Sequence, residues 1–554
     1  MADGQFLRNH KILRNTLLGL LLLPLGLSAR KFYDDDPLQK VPQPMNAEKI
    51  SVRRANDYYD FFRYTFLKQG ERHPKTGFIP SQGVNTLGEV PDSSWYTNRH
   101  YKNPMTLEEL VRGPGNENAP SMDGPWEVVA AKAEGLTPGF TIADSRGRRY
   151  ILKFDPLNYP EIATAADVIS SKFFYALGYQ VPENYVVAFD REQLVLGEDV
   201  TVADQVGEER EMTDRDVTEI LLKVPRNQEG KYRAVASLLL TGRPVGPFRF
   251  HGTRWDDPND IVSHEHRRDL RGLSVFAAWL GHDDSRSINT LDMLVEEVGT
   301  QFVKHYLIDF GSTLGSASIG PNSPRSGHEY LFSWKLPAKQ FFTFGLFVPR
   351  WARAKFPDLP SVGRFESEKF DAERWVPEYL NPAFLNRLPG DAFWAAKQVM
   401  AFTDQQIHAI VKTGQYSNPE AEKWIADRLI ERRDKIGKAF FANVLPLDRF
   451  AVAERQLIFE DLAVKHRLAP ALDYVVRWSR FDNDLDMNDA NDTETETLIV
   501  GGTSFRLPSW LLESADGEYF AADIQGVVDP KKMITVYLRK RPDRVEVVGM
   551  DRTW

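Results

Sequence analysis

The chain has 554 residues, of which 42% are hydrophobic and 27% are charged, and its formal net charge is −9. These proportions are ordinary for a soluble globular protein and exclude a wholly disordered, collagen-like or multispanning membrane protein. The acidic balance argues against nucleic acid as a partner, because nucleic-acid binding needs a basic surface. The absence of cysteine excludes disulfides, thiolate zinc sites and a cysteine nucleophile. At about 100–200 residues per domain, the length predicts three or four domains.

Residues 1–30 have the pattern of a secretory signal peptide. Three basic residues precede a Leu-rich run at 17–27, and the small residues Ser28 and Ala29 follow. The run is shorter than the roughly 20 residues that a spanning helix needs. We therefore expect an exported protein, periplasmic or extracellular, that is cleaved near residue 30. The alternatives are an uncleaved short membrane anchor and a buried core helix.

Residues 31–122 are predicted to form an extension that wraps around a neighbouring domain. The first part of this extension is rich in Asp and Pro, which is typical of a linker. An aromatic-rich helix is predicted over residues 48–69, and we interpret its aromatic side chains as core packing. Gly, Pro, Asn and Ser are frequent over residues 70–125, which indicates an irregular segment.

Residues 123–248 combine strands with one long helix. Alternating apolar residues and Gly or Pro turns predict short strands, and Pro160 predicts the start of the helix. The predicted order is β-β-β-α-β-β, with bounds of 126–133, 140–143, 150–154, 161–177, 185–189 and 193–196.

Residues 249–450 are mainly helical. Apolar residues recur at helical spacing over 270–280, and one strand hairpin is predicted before the helices resume near residue 390. Residues 451–554 are predicted to form a β-rich module that ends in a second hairpin. The predicted hairpins and later helices have bounds of 291–296, 302–308, 390–401, 403–413, 418–443, 533–538 and 545–548.

Four polar elements follow one another in an order that suits phosphoryl transfer from ATP. Lys153 ends the third strand, Glu161 begins the next helix, the loop Gly281–Asn289 follows a long helix, and Asp309 follows the hairpin. Phosphoryl transfer needs a lysine for the phosphates with a carboxylate to hold it, and an aspartate for the acceptor hydroxyl. It also needs an asparagine and an aspartate for Mg²⁺.

Lys153 is the predicted phosphate ligand and is expected to take part in catalysis. Glu161 is its predicted carboxylate partner, and Asp167, on the same helix, is the reserve partner. Gly135 and Gly139 lie in the turn before the second strand and are predicted to contact the nucleotide.

Asp284 is the predicted catalytic aspartate, and Asn289 and Asp309 are the predicted ligands of Mg²⁺. An Asp and an Asn separated by four residues in a tight loop can face the same metal and substrate. The sequence thus predicts one site that is assembled from the third strand, this loop and the end of the hairpin.

These residues resemble those of the protein-kinase-like superfamily. His282–Asp284 followed by Asn289 resembles the kinase catalytic loop, with Asp283 where an arginine is usual, and Asp309–Gly311 matches the Asp-Phe-Gly metal-binding triplet. The loop is also similar to the D-R-H-x-x-N loop of phosphoinositide kinases and to that of HipA-type kinases. The turn Ala133–Gly139 departs from G-x-G-x-x-G, so the phosphates must be covered differently, as in the atypical branches.

The resemblance covers residues 126–445 and implies an α+β, two-lobed protein-kinase-like fold. The N-lobe would span 123–248 and the helical C-lobe 249–450, with the N-terminal wrap and the C-terminal β-rich module on either side. The implied activity is ATP- and Mg²⁺-dependent phosphotransfer, with a nucleotide as ligand. The acceptor is left open among a protein, a glycan, a lipid and a small molecule.

The whole chain also resembles bacterial envelope proteins of similar length, a resemblance that implies no function. ATP is scarce outside the cytoplasm, so the alternative is a non-catalytic kinase-fold module that binds a partner in the envelope. Binding of Mg·ATP discriminates between the two.

Two other patterns are weaker indications of a functional site, one for zinc and one for calcium. His264 and His266 are two residues apart, whereas the histidines of the zinc-hydrolase motif are four apart on one helical face. The acidic run 482–488 begins like a calcium loop, but it lacks the glycine at the sixth position and the glutamate at the twelfth. We interpret it as a solvated acidic loop.

Overall fold

The computed structural model describes residues 30–67, 75–131, 139–203, 209–488 and 497–554. The predicted signal peptide and Gly135 lie outside these residues, so their roles stay predictions. Within the described part of the chain, no helix is both long enough and apolar enough to cross a membrane.

The N-terminal extension contacts several parts of the molecule, as predicted. It contains helices α1 (Asp57–Phe62) and α2 (Leu107–Arg112). Phe32 packs against aromatic rings of the C-terminal module, and Trp95 stacks on His305 of the C-lobe with 3.5 Å between ring centroids. The extension therefore joins the C-lobe to the C-terminal module.

The helix predicted over residues 48–69 begins only at Asp57 in the structure, and residues 68 and 69 lie outside the described part of the chain. The side chain of Asn56 accepts a hydrogen bond from the backbone N–H of Tyr59 and caps α1, which continues as one π-helical turn to Leu67. The interpretation of its aromatic residues as core packing is wrong for Phe62 and Phe66, which are 56% and 55% exposed. A short helix on the surface packs only one face against the protein, and these two rings lie on the exposed face.

The N-lobe is a six-stranded sheet with a helix against it. Its elements are β1 (Trp126–Ala131), β2 (Gly139–Ala143), β3 (Arg149–Phe154), α3 (Ile162–Ala176), β4 (Asn184–Phe189), β5 (Leu194–Leu196), β6 (Thr201–Ala203), β7 (Glu209–Glu211), α4 (Asp214–Leu221) and β8 (Tyr232–Leu238). The sheet order is β4-β8-β3-β2-β1-β5. The predicted β-β-β-α-β-β order is present, and the unpredicted strand β8 lies between β3 and β4.

Helix α3 lies at the centre of the molecule. Fourteen of its fifteen residues are buried, because the N-lobe sheet and the C-lobe helices enclose it. The backbone N–H groups in its first turn have no partners within the helix, and Asp155 caps two of them. Its carboxylate accepts hydrogen bonds of 2.8 and 2.9 Å from the N–H groups of Ala163 and Thr164. The helix therefore carries its side chains into the region between the two lobes.

The C-lobe is built around one buried helix. Its elements are β9 (Arg243–Gly246), α5 (Arg268–Leu280), β10 (Thr290–Glu297), β11 (Thr300–Leu307), α6 (Lys335–Phe342), α7 (Pro382–Leu385), α8 (Pro389–Val399), α9 (Asp404–Lys412) and α10 (Pro419–Phe441). Twelve of the thirteen residues of α5 are buried. Strand β9 joins the hairpin β10–β11 in a three-stranded sheet at the end of the lobe.

The C-terminal module is antiparallel and β-rich, as predicted. Its elements are β12 (Leu447–Ala453), β13 (Gln456–Asp461), α11 (Leu462–Lys465), β14 (Asp473–Asp482), β15 (Met487–Asn488), β16 (Thr497–Gly501), β17 (Ser504–Arg506), α12 (Ser509–Leu512), β18 (Tyr519–Gly526), β19 (Met533–Lys540) and β20 (Val545–Arg552). It has a hydrophobic core of its own around Trp478. The α+β architecture with two lobes, an N-terminal wrap and a β-rich module is confirmed.

Candidate active site

Lys153 lies where the two lobes meet. Its Nζ donates a 3.0 Å hydrogen bond to Oδ2 of Asp167, on α3, and another of 3.0 Å to Oδ1 of Asp309, after β11. The side chain of Asp167 is 1% exposed, whereas that of Asp309 is 46% exposed. The lysine therefore connects a buried carboxylate to one that solvent or a ligand can reach.

The two carboxylates keep Lys153 charged. Burial lowers the pKa of Lys153, but the charges of Asp167 and Asp309 outweigh this effect, and the net pKa is raised. Burial raises the pKa of Asp167 above its usual value, although the charge of Lys153 opposes that shift. Lys153 is protonated at neutral pH, which is the form that attracts phosphate oxygens.

The predicted pairing of Lys153 with Glu161 is not what the structure shows. Glu161 precedes α3 in a left-handed conformation with φ +70°. In this conformation its carboxylate accepts a 3.0 Å hydrogen bond from the backbone N–H of Ser417 in the C-lobe. Asp167, the reserve partner, lies six residues further along, within α3, and accepts the hydrogen bond from Lys153 of β3. Glu161 lies before the first helical turn, so its side chain does not point in the direction of those within the helix.

Gly139 lies next to the candidate phosphate lysine. It is the first residue of β2 and pairs with Lys153 across the antiparallel ladder. The turn that precedes it contains Gly135 and lies outside the described residues. Contact of either glycine with a nucleotide therefore stays a prediction.

The loop after α5 brings Asn289 close to both Asp284 and Asp309. Nδ2 of Asn289 donates a 2.8 Å hydrogen bond to the backbone carbonyl of Asp284, which closes the loop on itself. The backbone N–H of Ile308 donates a 3.0 Å hydrogen bond to the carbonyl of Asn289, so the loop lies beside Asp309. The side-chain oxygen of Asn289 is then the atom that could ligate a metal together with Asp309.

Asp309 has an uncommon backbone conformation. Its φ is +61° and its ψ +70°, a left-handed conformation that costs energy in a non-glycine residue and that concentrates at functional sites. The next residue, Phe310, stacks on Phe174 of α3 with 5.0 Å between centroids and lies 6.1 Å from the ring of His282. These three rings join α3, the loop and the triplet Asp309–Gly311. They hold the strained Asp309 in place.

Asp283 and Asp284 are adjacent but have different surroundings. Asp283 is buried and accepts hydrogen bonds from Nδ2 of Asn322, at 2.9 Å, and from Oγ of Ser326. Burial raises the pKa of Asp283 to about 7, and the charge of Asp284 adds to that shift. The side chain of Asp284 is 21% exposed and forms an ion pair with Arg286. Of the two, Asp284 is the one that an acceptor can approach.

Arg286 is a residue of the candidate site that the sequence pattern does not predict. Besides Asp284, it pairs with Asp57 of α1 at 2.7 Å and with Glu378 at 3.8 Å, and it lies 4.5 Å from the ring centre of Tyr379. Its place two residues after Asp284 was a local signal. No local signal points to Asp57, which is 229 positions away.

The residues present fit an Mg²⁺–nucleotide complex. Asn289 and Asp309 offer oxygen ligands, and Lys153 offers a cation at the same point. Mg²⁺ is commonly held by one or two protein oxygens together with water and substrate phosphates. Among the residues that the structure describes, no group of three or more His, Asp or Glu side chains is placed to hold a metal ion. A metal at this site would thus depend on the phosphates of the nucleotide.

No protein family and no curated protein matches the chain. Among solved structures, it is similar to the proinflammatory kinase CtkA of Helicobacter pylori, with 12% identity and a TM-score of 0.28 over 55% of this chain and 94% of that one. It is also similar to the Golgi casein kinase, with 9% identity and a TM-score of 0.29 over 76% and 95% of the two chains. The same kinase with Mn/ADP bound gives 9% identity and a TM-score of 0.27 over 61% and 74%.

TM-scores this low carry no argument about activity. Three features of this chain are kinase-like: an antiparallel β1–β2–β3 meander whose third strand presents Lys153, a helix that presents Asp167, and a C-lobe hairpin that is followed by Asp309. The fold is a two-lobed, kinase-like α+β fold, as the sequence predicts.

Proposed function

We propose that this protein is an ATP- and Mg²⁺-dependent phosphotransferase of an atypical kinase type. One observation carries the proposal: Lys153 Nζ, from β3 of the N-lobe, lies 3.0 Å from the carboxylate of Asp309, at the end of a C-lobe hairpin. The two residues are 156 positions apart. Phosphoryl transfer requires a lysine and a metal-binding aspartate that reach the same phosphate group.

Each residue has a distinct part in this reaction. Lys153 neutralises phosphate charge, and Asp167 holds the lysine in position from the buried side. Asn289 and Asp309 hold Mg²⁺, and bound Mg·ATP supplies the phosphoryl group. Asp284 orients the acceptor hydroxyl and accepts its proton, which a positioned carboxylate does in such reactions.

We also propose the chemical group that accepts the phosphate and the location of the protein. The acceptor is a hydroxyl group of a protein, a glycan, a lipid or a small molecule. The pattern of residues 1–30 supports export to the bacterial envelope. N-terminal sequencing of the mature protein tests export, since a mature chain should begin near Arg30. Cytoplasmic protein that retains residues 2–10 would reject it.

A thermal-shift measurement on the full chain tests the nucleotide part. Mg·ATP should raise Tm, whereas Mg²⁺ alone, or ATP with EDTA, should have little effect. Ligand at 100 times its Kd stabilises a protein by about 2.7 kcal/mol. Lys153→Met should remove the shift, and Glu161→Gln, which changes the carboxylate bonded to Ser417, should retain it. A wild-type chain that does not respond to Mg·ATP would favour the non-catalytic envelope module.

A further inference from the structure

Residues 331–357 form a segment of unusual composition within the C-lobe. The 331–357 segment contains five Lys or Arg residues and no Asp or Glu, in a chain whose net charge is −9. It also contains eight Phe or Trp residues. A segment that is both basic and aromatic has the composition of an interfacial membrane-binding element.

The apolar side chains of this segment protrude into solvent. They lie just before, on and just after α6, and five of them are between 72% and 94% exposed: Trp334, Phe341, Phe342, Phe344 and Leu346. Single exposed apolar residues are common, but a contiguous apolar patch marks a surface that binds something.

The patch continues onto α1 of the N-terminal extension. The ring of Phe66 lies 5.2 Å from that of Phe332 and 6.0 Å from that of Phe62. Phe66, Phe62 and Tyr58 are themselves 55%, 56% and 76% exposed. Two elements that are distant in sequence thus present their aromatic side chains on one continuous surface.

This surface borders the candidate catalytic loop. Phe61 of α1 packs on Tyr379, with 4.9 Å between ring centroids, and Tyr379 lies against Arg286, the ion-pair partner of Asp284. The backbone N–H of Leu331 also donates a 2.7 Å hydrogen bond to the carbonyl of Glu378, beside Tyr379. The surface therefore lies on the side of the C-lobe that an acceptor would approach.

We propose that the surface formed by α1 and the 331–357 segment docks on an anionic lipid bilayer. Exposed Phe, Trp and Leu side chains insert at the depth of the headgroups, and Lys339, Arg353 and Lys355 attract anionic lipids. Charge complementarity selects this occupant, because an otherwise acidic chain places five basic residues and no acidic residue in the segment that carries most of its protruding aromatic side chains. The inference does not depend on phosphotransfer.

The absence of cysteine allows a local test in the full chain. Leu346→Cys, labelled with the environment-sensitive dye NBD, reports on the 331–357 segment. Val528→Cys is the matched control, since Leu346 and Val528 are aliphatic residues that are 84% and 77% exposed, and Val528 lies in the C-terminal module. The label reports only its own surroundings, so membrane attachment through residues 17–27 does not mimic the result.

Vesicles of phosphatidylglycerol and phosphatidylcholine should shift the emission at position 346 to the blue and raise it several-fold. Phosphatidylcholine alone should do so weakly, high salt should reduce the effect, and position 528 should not respond. Adding Lys339→Glu and Arg353→Glu should weaken apparent binding by roughly tenfold or more, because each basic residue contributes about 1 kcal/mol near an anionic surface.

Four results would each overturn the proposal. These are no response at position 346, an equal response at positions 346 and 528, an equal response to neutral vesicles, and a lipid-independent blue shift that grows with protein concentration. The last result would identify a second copy of the chain as the occupant. Because the readout is local fluorescence, a failed phosphotransfer assay does not affect it.

Discussion

Lys153 forms an ion pair of 3.0 Å with the buried Asp167, whereas Glu161, which is nearer in sequence, binds the backbone of Ser417. Asp167 is also fixed on its other side, since Nδ2 of Asn184 donates a 2.8 Å hydrogen bond to its Oδ1. The carboxylate that holds the lysine is thus rigid and inaccessible. Asp309, the second partner of Lys153, is the exposed one.

Asp167→Asn should weaken the binding of Mg·ATP by roughly tenfold or more, because a charge-assisted contact that positions Lys153 is lost. Glu161→Gln should leave the affinity nearly unchanged. Isothermal titration of both variants with Mg·ATP measures the contrast. If Glu161→Gln has the larger effect, the pairing with Asp167 does not persist in the nucleotide complex.

Asp284→Asn should lower turnover by roughly 10²–10⁴, the usual size of a general acid–base contribution, while Mg·ATP binding stays nearly intact. Asp283→Asn should have a much smaller effect, since the side chain of Asp283 is buried against Asn322 and Ser326. Asp309→Asn should reduce both nucleotide binding and turnover.

Phosphate transfer to water or to an identified acceptor measures these three variants, and titration with Mg·ATP separates binding from turnover. Loss of activity in Asp283→Asn, but not in Asp284→Asn, would mean that the catalytic register is off by one residue. If neither variant changes a verified activity, the proposed mechanism fails.

The pKa of Asp283 predicts how stability depends on pH. In an unfolded chain the pKa of an aspartate is about 3.9, and burial raises that of Asp283 to about 7 in the fold. The folded state binds this proton more tightly than the unfolded state does. The contribution of Asp283 to the free energy of unfolding is therefore most favourable below about pH 4. That contribution declines as pH rises through the folded pKa. Above about pH 7 the buried charge costs as much as about 4 kcal/mol.

Asp283→Asn removes the charge and keeps an oxygen that accepts the two hydrogen bonds. The variant should therefore be more stable than the wild type at about pH 8, and the difference should shrink towards about pH 5. Urea denaturation across this range measures it. Asp358→Asn, at an exposed position, is the control and should show no such trend. A difference that stays constant with pH would contradict the raised pKa.

The sequence predicts the central elements well because their signals are local. The strands β1 to β3 and the helix α3 are present in the structure where the sequence predicts them, and their ends differ from the predicted bounds by only a few residues. The order of Lys153, Asn289 and Asp309 along the chain also predicts that they converge. The strands and the helix are predicted from periodicity, and the convergence of the three residues is predicted from their order. None of these predictions requires the direction of a particular side chain.

The remaining features depend on tertiary contacts. The direction of Glu161 follows from a left-handed residue before α3, and no residue type there signals it. Aromatic side chains such as those of the 331–357 segment are ordinarily interpreted as core, so their exposure emerges only in the fold. The contact between Arg286 and Asp57 joins two segments that share no local pattern.

Arg286 holds three carboxylates together, those of Asp57, Asp284 and Glu378. Burial raises the pKa of Asp57 and of Glu378, and burial lowers that of Arg286, but the surrounding charges outweigh it and the net pKa of Arg286 is raised. Arg286→Gln leaves Asp57, Asp284 and Glu378 facing one another. We expect the variant to lose about 1–3 kcal/mol of its free energy of unfolding. This is less than for a fully buried pair, because these side chains are 18–39% exposed.

Protonation of Asp57 and Glu378 relieves this repulsion, so the loss in Arg286→Gln should be smaller at about pH 5 than at about pH 8. Arg215→Gln is the matched control. It breaks an exposed ion pair with Glu219 and should change stability little at either pH. Urea denaturation of both variants at both pH values measures the contrast. Equal losses at the two pH values would mean that repulsion among the carboxylates is not the cause, and that Arg286 stabilises the loop through its packing on Tyr379 instead.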